Sequence, residues 1–187
     1  MCCLLLGACD PQKQPAEKAY AQVETSVGPV REMLEKYAPE DYEKLNQMMD
    51  SMRTKLNSQD YQGALEMKDK VMAQLVTASS VAGQKKISVT QSLSAEWKSL
   101  AASMPGMIDQ VSGRVNSLLS ATKLPAGVTH DTVVRSQAIV AQLSGQWNGA
   151  LSSAQRNALD DAVKQAREVK KRCIDVASAL NLKLTEG

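Results

Sequence analysis

The sequence predicts an all-α fold, and three observations support this prediction. Apolar residues recur at spacings of three and four along most of the chain, alternation typical of strands is hardly seen, and the 187 residues include no phenylalanine. A core made of small aliphatic side chains, methionine and alanine is typical of thin helical bundles. We therefore expect an elongated antiparallel bundle of about six helices, in which two helical hairpins flank a long kinked helix.

Proline and glycine mark the bounds of the first two predicted helices. The first helix is expected to begin after Pro15, and Gly28-Pro29 within it predicts a kink or a short break, because proline lacks a backbone donor and clashes with the preceding turn. Ala38-Pro39 then ends this helix. Pro39 suits the first position of the second helix, where a backbone N–H has no helical partner.

The third and fourth helices are expected to be separate. Asp60 follows a polar turn and is the predicted N-cap of the third helix, which Gly83 is expected to end. Lys68 interrupts the apolar face of that helix, so its ammonium is expected to reach out to solvent. The fourth helix is expected after Lys85-Lys86, with a bend at Pro105-Gly106.

A linker at residues 124–127, Leu-Pro-Ala-Gly, precedes the last two helices. The fifth helix is expected to begin at Thr129 or Asp131, and the sixth to end near Asn181. The sixth carries the most regular apolar stripe, which includes Cys173 as a small buried residue. We expect residues 16–187 to form a single all-helical domain, with a possible subdivision near residues 123–129.

A faint internal repeat relates the two hairpins. A shift of 98 positions aligns Leu45 with Leu143 and Val71 with Val169 without a gap. A true duplication and a chance agreement between two heptad patterns both explain this alignment. Residues 60–65, Asp-Tyr-Gln-Gly-Ala-Leu, also resemble part of a tetratricopeptide helix, but the resemblance covers one helix and the 34-residue recurrence is absent.

The N-terminal segment Leu4-Leu5-Leu6-Gly7-Ala8-Cys9 resembles the lipobox of bacterial lipoproteins. The resemblance implies cleavage before Cys9 and acylation of its thiol. No Lys or Arg precedes Cys9, and the apolar run is shorter than the roughly 7–15 residues of a complete signal. We therefore interpret residues 1–8 as a truncated signal peptide. The alternative is an incidental apolar N-terminus with unrelated cysteines.

Residues 9–15 are expected to be a lipidated tether, because the stretch after Cys9 is polar and contains two prolines. Each buried CH₂ group of an acyl chain contributes about 0.8 kcal/mol to membrane attachment. The resemblance thus implies a protein of the bacterial cell envelope, attached to the bilayer through acylated Cys9 and facing the periplasm. Asp10 resembles a retention signal for the inner membrane, although the choice between inner and outer membrane stays open.

Charge and reactive groups favour a protein that is not an enzyme. The chain has 22 basic and 20 acidic residues mixed along its length, whereas nucleic-acid binding needs basic residues clustered on one face. His130 is the single histidine and is expected to lie exposed at a helix start. With one histidine and one thiol left after lipidation, we predict no catalytic residues, no metal site and no cofactor.

Two tryptophans and a methionine-rich stretch are the candidate binding residues. Trp97 and Trp147 are expected on helix seams, where they either fill the core or line a groove together with Tyr61, Met49 and Met52. The predicted function is a non-catalytic binding or scaffolding body that meets a protein partner. The alternative is a periplasmic sensor or binding protein for a small apolar ligand or peptide. The sequence leaves the oligomeric state open.

Overall fold

In a computed structural model, residues 10–185 are described, and they form five helical segments and no strand. The predicted all-α fold is confirmed. The helices are α1 (Lys13–Val27), α2 (Arg31–Tyr37), α3 (Pro39–Asn57), α4 (Tyr61–Leu119), α5 (His130–Gln155) and α6 (Leu159–Ala179). A single 3-10 turn (Gly28–Val30) joins α1 to α2, so these two helices make one interrupted segment.

The predicted count of about six helices is wrong because the expected third and fourth helices are one. Helix α4 is 59 residues long and continues through Gly83, the expected stop, and through Pro105. Gly83 keeps a negative φ, so the left-handed conformation that ends many helices is absent there. One glycine costs about 1 kcal/mol relative to alanine, which is not enough to end a long helix.

Local signals placed several helix ends correctly. The break expected at Gly28-Pro29 is the 3-10 turn, and Pro39 lies in the first turn of α3. Helix α1 begins at Lys13, earlier than expected, so that Pro15 lies within its first turn. The backbone N–H groups of a first turn have no helical partner, and proline therefore costs no hydrogen bond there.

The chain divides into two compact units, residues 1–88 and 89–187, and the division falls inside α4. The sequence suggested a subdivision near residues 123–129, but that stretch belongs to the loop between α4 and α5 in the second unit. The buried positions of α4 stop at Ala82 and resume at Leu100, with none between them. The apolar residues of α4 thus serve two cores.

The first unit is built from the interrupted segment α1 and α2, helix α3 and the first part of α4. Its core contains aliphatic, alanine and methionine side chains. The buried members with the largest side chains are Val23, Val27, Leu34, Leu45, Met49, Met52, Val71 and Leu75. Arg53 ties α3 to α1, because its Nε donates a hydrogen bond of 2.8 Å to the hydroxyl of Tyr20.

The second unit is built from the later part of α4 together with α5 and α6, which pack around one core. Helix α5 begins at His130, between the two starts that the sequence suggested, and Thr129 caps it, since its side chain accepts a hydrogen bond of 3.2 Å from the Thr132 N–H. Asn181 follows α6 with φ of 50°, in the left-handed conformation. The Arg114 guanidinium donates two hydrogen bonds, of 3.2 and 3.1 Å, to the Leu180 carbonyl and so ties α4 to the end of α6.

The two hairpins have the same turn at the shift of 98 positions found in the sequence. Gln59 and Asn157 are both left-handed, with φ of 61° and 60°. A backbone hydrogen bond of 2.9 Å closes each turn, from Asp60 to Lys55 and from Ala158 to Ser153. A heptad pattern does not by itself dictate loop length or a left-handed residue, so this agreement favours duplication over chance.

Candidate functional site

Trp97 and Trp147 meet in the second unit, as a pair of stacked rings. Their centroids lie 5.6 Å apart and their planes are inclined by 23°. Trp147 is only 7% exposed, and Trp97 is half-buried against the same core. A stacked aromatic pair contributes about 0.5–1.5 kcal/mol beyond the area it buries. Each ring therefore covers a face of the other and joins α4 to α5.

An ion pair next to this stack joins α4 to α6. The Arg167 guanidinium donates two hydrogen bonds of 2.6 Å to the two carboxylate oxygens of Glu96. This hydrogen bonding holds the pKa of Glu96 below its ordinary value of 4.5. The geometry is bidentate, which fixes orientation as well as distance. All three segments of the second unit are thus connected close to the tryptophans.

The other candidate binding residues belong to the first unit. Met52 is fully buried, Met49 is 8% exposed, and Tyr61 is half-buried against the same core. Met49 and Met52 lie on α3, whereas Tyr61 begins α4. The structure therefore divides the five residues that the sequence grouped around one possible groove between two separate cores.

Of the two cysteines discussed above, Cys173 lies in the core and Cys9 lies outside the described residues. Cys173 is fully buried, as the sequence predicted, and is a free thiol. Burial raises its pKa from 9.0 to about 11, because the thiolate would be poorly solvated there. At neutral pH the thiol is thus protonated and a weak nucleophile.

A cleft in the first unit was not predicted. It has a volume of about 590 Å³ and lies between α1 and the first part of α4. Two lysines, Lys18 and Lys68, line it, together with the polar side chains of Gln22, Thr25 and Ser26. The sequence did mark Lys68 as a charged residue on an apolar helix face. That interruption was the signal, but it does not reveal which groups of α1 stand opposite.

Two smaller clefts lie between α5 and α6. One of about 300 Å³ is lined by Gln146, Gln165 and Glu168, and one of about 260 Å³ is lined by Arg135 and Asp175 among others. Arg135 forms an ion pair with Asp131, one turn earlier on α5. The Arg135 guanidinium that lines the smaller cleft is therefore already paired within α5.

Residues 10–185 contain no group of three or more His, Cys, Asp or Glu side chains arranged to hold a metal ion. Across the same residues, no helix has the length and apolar character needed to cross a bilayer. His130, the first residue of α5, is exposed.

Comparisons with known proteins found no similar family or structure. No protein-family model matches this chain, no curated protein matches it, and no solved structure matches it.

Proposed function

We propose that this protein is a bacterial lipoprotein whose helical body binds or scaffolds a protein partner at a membrane surface, without catalysis. The observation that carries the proposal is the segment Leu6-Gly7-Ala8-Cys9 followed by a polar stretch. Its small residues before a cysteine suit cleavage and acylation, and the acyl chains would hold the chain on the bilayer without a spanning helix.

The start of α1 at Lys13 adds a geometric consequence. Lys13 stands four positions after Cys9, and an extended chain spans at most about 3.6 Å per residue, so the tether reaches at most about 14 Å. The first unit would therefore stay close to the headgroups. A partner at the same membrane would meet this unit at high effective concentration, which strengthens binding without any new contact.

A pair of matched cysteine variants tests the anchor. Cys9→Ala, expressed from the native gene, should move the protein from the membrane fraction to the soluble fraction and remove labelling by radioactive palmitate. Cys173→Ala also removes one thiol but leaves the proposed acylation site, so it should stay membrane-bound and labelled. The anchor proposal fails if Cys9→Ala remains in the membrane fraction or if neither protein is labelled.

The scaffolding role and the alternative, a sensor for a small apolar ligand or peptide, predict different results. Crosslinking in intact cells should capture a recurring protein partner if the body is a scaffold. A thermal-shift screen with apolar ligands should raise the melting temperature if it is a sensor. The elongated form of the bundle and the bend at Pro105 stay predictions within this proposal. Small-angle X-ray scattering would measure how elongated the protein is.

A further inference from the structure

We propose that the cleft between α1 and α4 in the first unit binds a phosphate ester that carries free hydroxyl groups. Lys18 and Lys68 would bind the phosphate, while the oxygens of Thr25 and Ser26 would accept hydrogen bonds from the ligand's hydroxyls. The site is independent of the anchor at Cys9 and of the scaffolding role.

The cleft is lined by uncompensated positive charge. Lys18 and Lys68 come from different helices and line one cleft, and no carboxylate is among its lining residues. Within residues 10–185 neither ammonium forms an ion pair. Two ammonium groups facing one concave surface attract an anion, and a lysine ammonium binds phosphate as a compact point charge.

The equivalent position of the other hairpin lacks this charge. With the shift of 98 positions, the residue equivalent to Lys68 of α4 is Ala166 of α6, and Ala166 is fully buried. Lys68 itself is half-buried. The second unit therefore has a small apolar side chain where the first unit has a lysine that lines an open cleft. If position 68 served packing alone, alanine would suffice there, as it does at Ala166 in the second unit.

Two hydroxyl groups of α1 also line the cleft. Thr25 donates its hydroxyl hydrogen to the Ala21 carbonyl at 2.8 Å, and Ser26 donates to the Gln22 carbonyl at 2.9 Å. With their hydrogens engaged, both oxygens offer lone pairs to a donor. At neutral pH the hydrogens of inorganic phosphate lie on the anionic group itself, which the two lysines would hold, whereas a phosphate ester with hydroxyl groups supplies the charge and separate donors together.

The size of the cleft agrees with this chemistry. Its volume of about 590 Å³ lies within the roughly 300–1,000 Å³ usual for small-ligand sites. Ala21 and Met72 add apolar surface for the carbon chain of the ligand. Glycerol phosphate has this combination of groups, either as a free molecule or as the headgroup of phosphatidylglycerol.

Calorimetric titration of the full chain with glycerol 3-phosphate tests the proposal. We expect saturable binding that is tighter than binding of inorganic phosphate, and no binding of glycerol. Lys68→Gln removes one charge-assisted contact and should weaken binding about tenfold or more. Lys70→Gln is the matched control, because Lys70 is an exposed lysine of the same helix that does not line the cleft. It should leave the affinity unchanged.

A second variant separates the hydroxyl contact from the charge. Thr25→Val keeps the shape of the side chain but removes the acceptor, so it should weaken glycerol phosphate binding about threefold and leave inorganic phosphate binding unchanged. Circular dichroism of each variant verifies folding. The proposal is overturned if wild-type protein gives no saturable binding, or if Lys70→Gln weakens it as much as Lys68→Gln.

Vesicles distinguish the two sources of the ligand. The chain without acylation should bind phosphatidylglycerol vesicles better than vesicles of phosphatidylserine, which has the same net charge, if a lipid headgroup is the natural ligand. Lys68→Gln should reduce this preference. Binding of glycerol 3-phosphate with no preference between the vesicles assigns the site to a free phosphate ester. If the protein binds neither glycerol 3-phosphate nor phosphatidylglycerol vesicles, the proposed site is contradicted.

Discussion

The two units have the same hairpin but use it differently. In the second unit the tryptophan pair and the Glu96–Arg167 ion pair connect all three helical segments. In the first unit Met49 occupies the position equivalent to Trp147, and Lys68 the position equivalent to Ala166. The two units thus share turn geometry and buried register but differ at individual core positions. Met49 and Trp147 are both buried, whereas Ala166 is buried and the equivalent Lys68 lines an open polar cleft.

The largest expected effect tests whether the two cores are energetically separate. Leu45 and Leu143 are equivalent and both fully buried, so replacing either by alanine should destabilise its own unit by about 2–5 kcal/mol. Both tryptophans belong to the second unit, so fluorescence reports that unit alone. Leu45→Ala should thus leave the fluorescence transition in urea within about 0.5 kcal/mol of wild type.

Circular dichroism provides the matching measurement, because helices of both units contribute to it. Leu45→Ala should produce an earlier transition by circular dichroism that fluorescence does not follow. Leu143→Ala should shift the fluorescence transition instead. Parallel shifts of both signals in both variants would mean that the units unfold as one, and the comparison would then concern two halves of a single cooperative structure.

The next effect concerns the equivalent positions 49 and 147. Trp147→Met places the residue of the first unit in the second and removes the stack on Trp97, which should cost about 2 kcal/mol. Emission of the remaining Trp97 should shift to the red, because its ring loses its cover. Met49→Leu is the control, and should cost less than about 1.5 kcal/mol with unchanged emission. Unchanged emission in Trp147→Met would contradict the stacked geometry.

A smaller effect concerns the N-terminus of α4. Asp60 accepts a hydrogen bond of 2.9 Å from the Gly63 N–H, as expected of an N-cap, and a Cβ at Gly63 would collide with the Asp60 carboxylate. Gly63→Ala should therefore lose the cap and destabilise the first unit by about 0.5 kcal/mol, although alanine is the better helix former.

Combining Gly63→Ala with Asp60→Ala tests whether the Asp60 carboxylate is the reason that position 63 requires glycine. In a chain that already carries Asp60→Ala, the collision is absent, and Gly63→Ala should raise the free energy of unfolding by up to about 1 kcal/mol. Urea unfolding of the wild type, the two single variants and the double variant completes a double-mutant cycle. The same sign in both backgrounds would show that the carboxylate does not set the requirement for glycine.

The smallest effect is a pH dependence in the second unit. The hydrogen bonds from Arg167 lower the pKa of Glu96 below 4.5, so the folded state favours the carboxylate. The resulting stabilisation is present above pH 4.5 and is lost as the pH falls through the lowered pKa. Glu96→Gln should be less stable than wild type at pH 7 and nearly equal to it in stronger acid, by fluorescence-detected urea unfolding. A constant difference would contradict an electrostatic origin.

Helix ends were predictable from the sequence where the chemistry of a single turn decides them. Asp60, Pro39 and Gly28-Pro29 act through hydrogen bonds or clashes within a single turn, and the structure has a cap, a helix start and a break at those places. The fate of Gly83 was mispredicted because glycine permits a helix end without requiring one. Nothing in its own turn forces the chain to leave the helix.

The sites that depend on two helices were harder to predict. The Trp97–Trp147 contact required knowledge of how α4 and α5 pack, although both tryptophans were recognised as seam residues. The cleft was missed because Lys68 was marked by its position on α4 alone, while Lys18 is on α1. Helix periodicity identifies the face of a residue, but it does not identify the side chains that face it.

The continuity of α4 has a consequence for local opening. Residues 83–99 contain no buried position, and Ile87 is 60% exposed. Most of this stretch is held helical by its own backbone hydrogen bonds, although β-branched residues such as Ile87, Val89 and Thr90 favour a helix only weakly. Amide protons there should exchange with solvent sooner than those near Val71 or Val111, so the middle of the longest helix should open before the parts of it that are buried in the two cores.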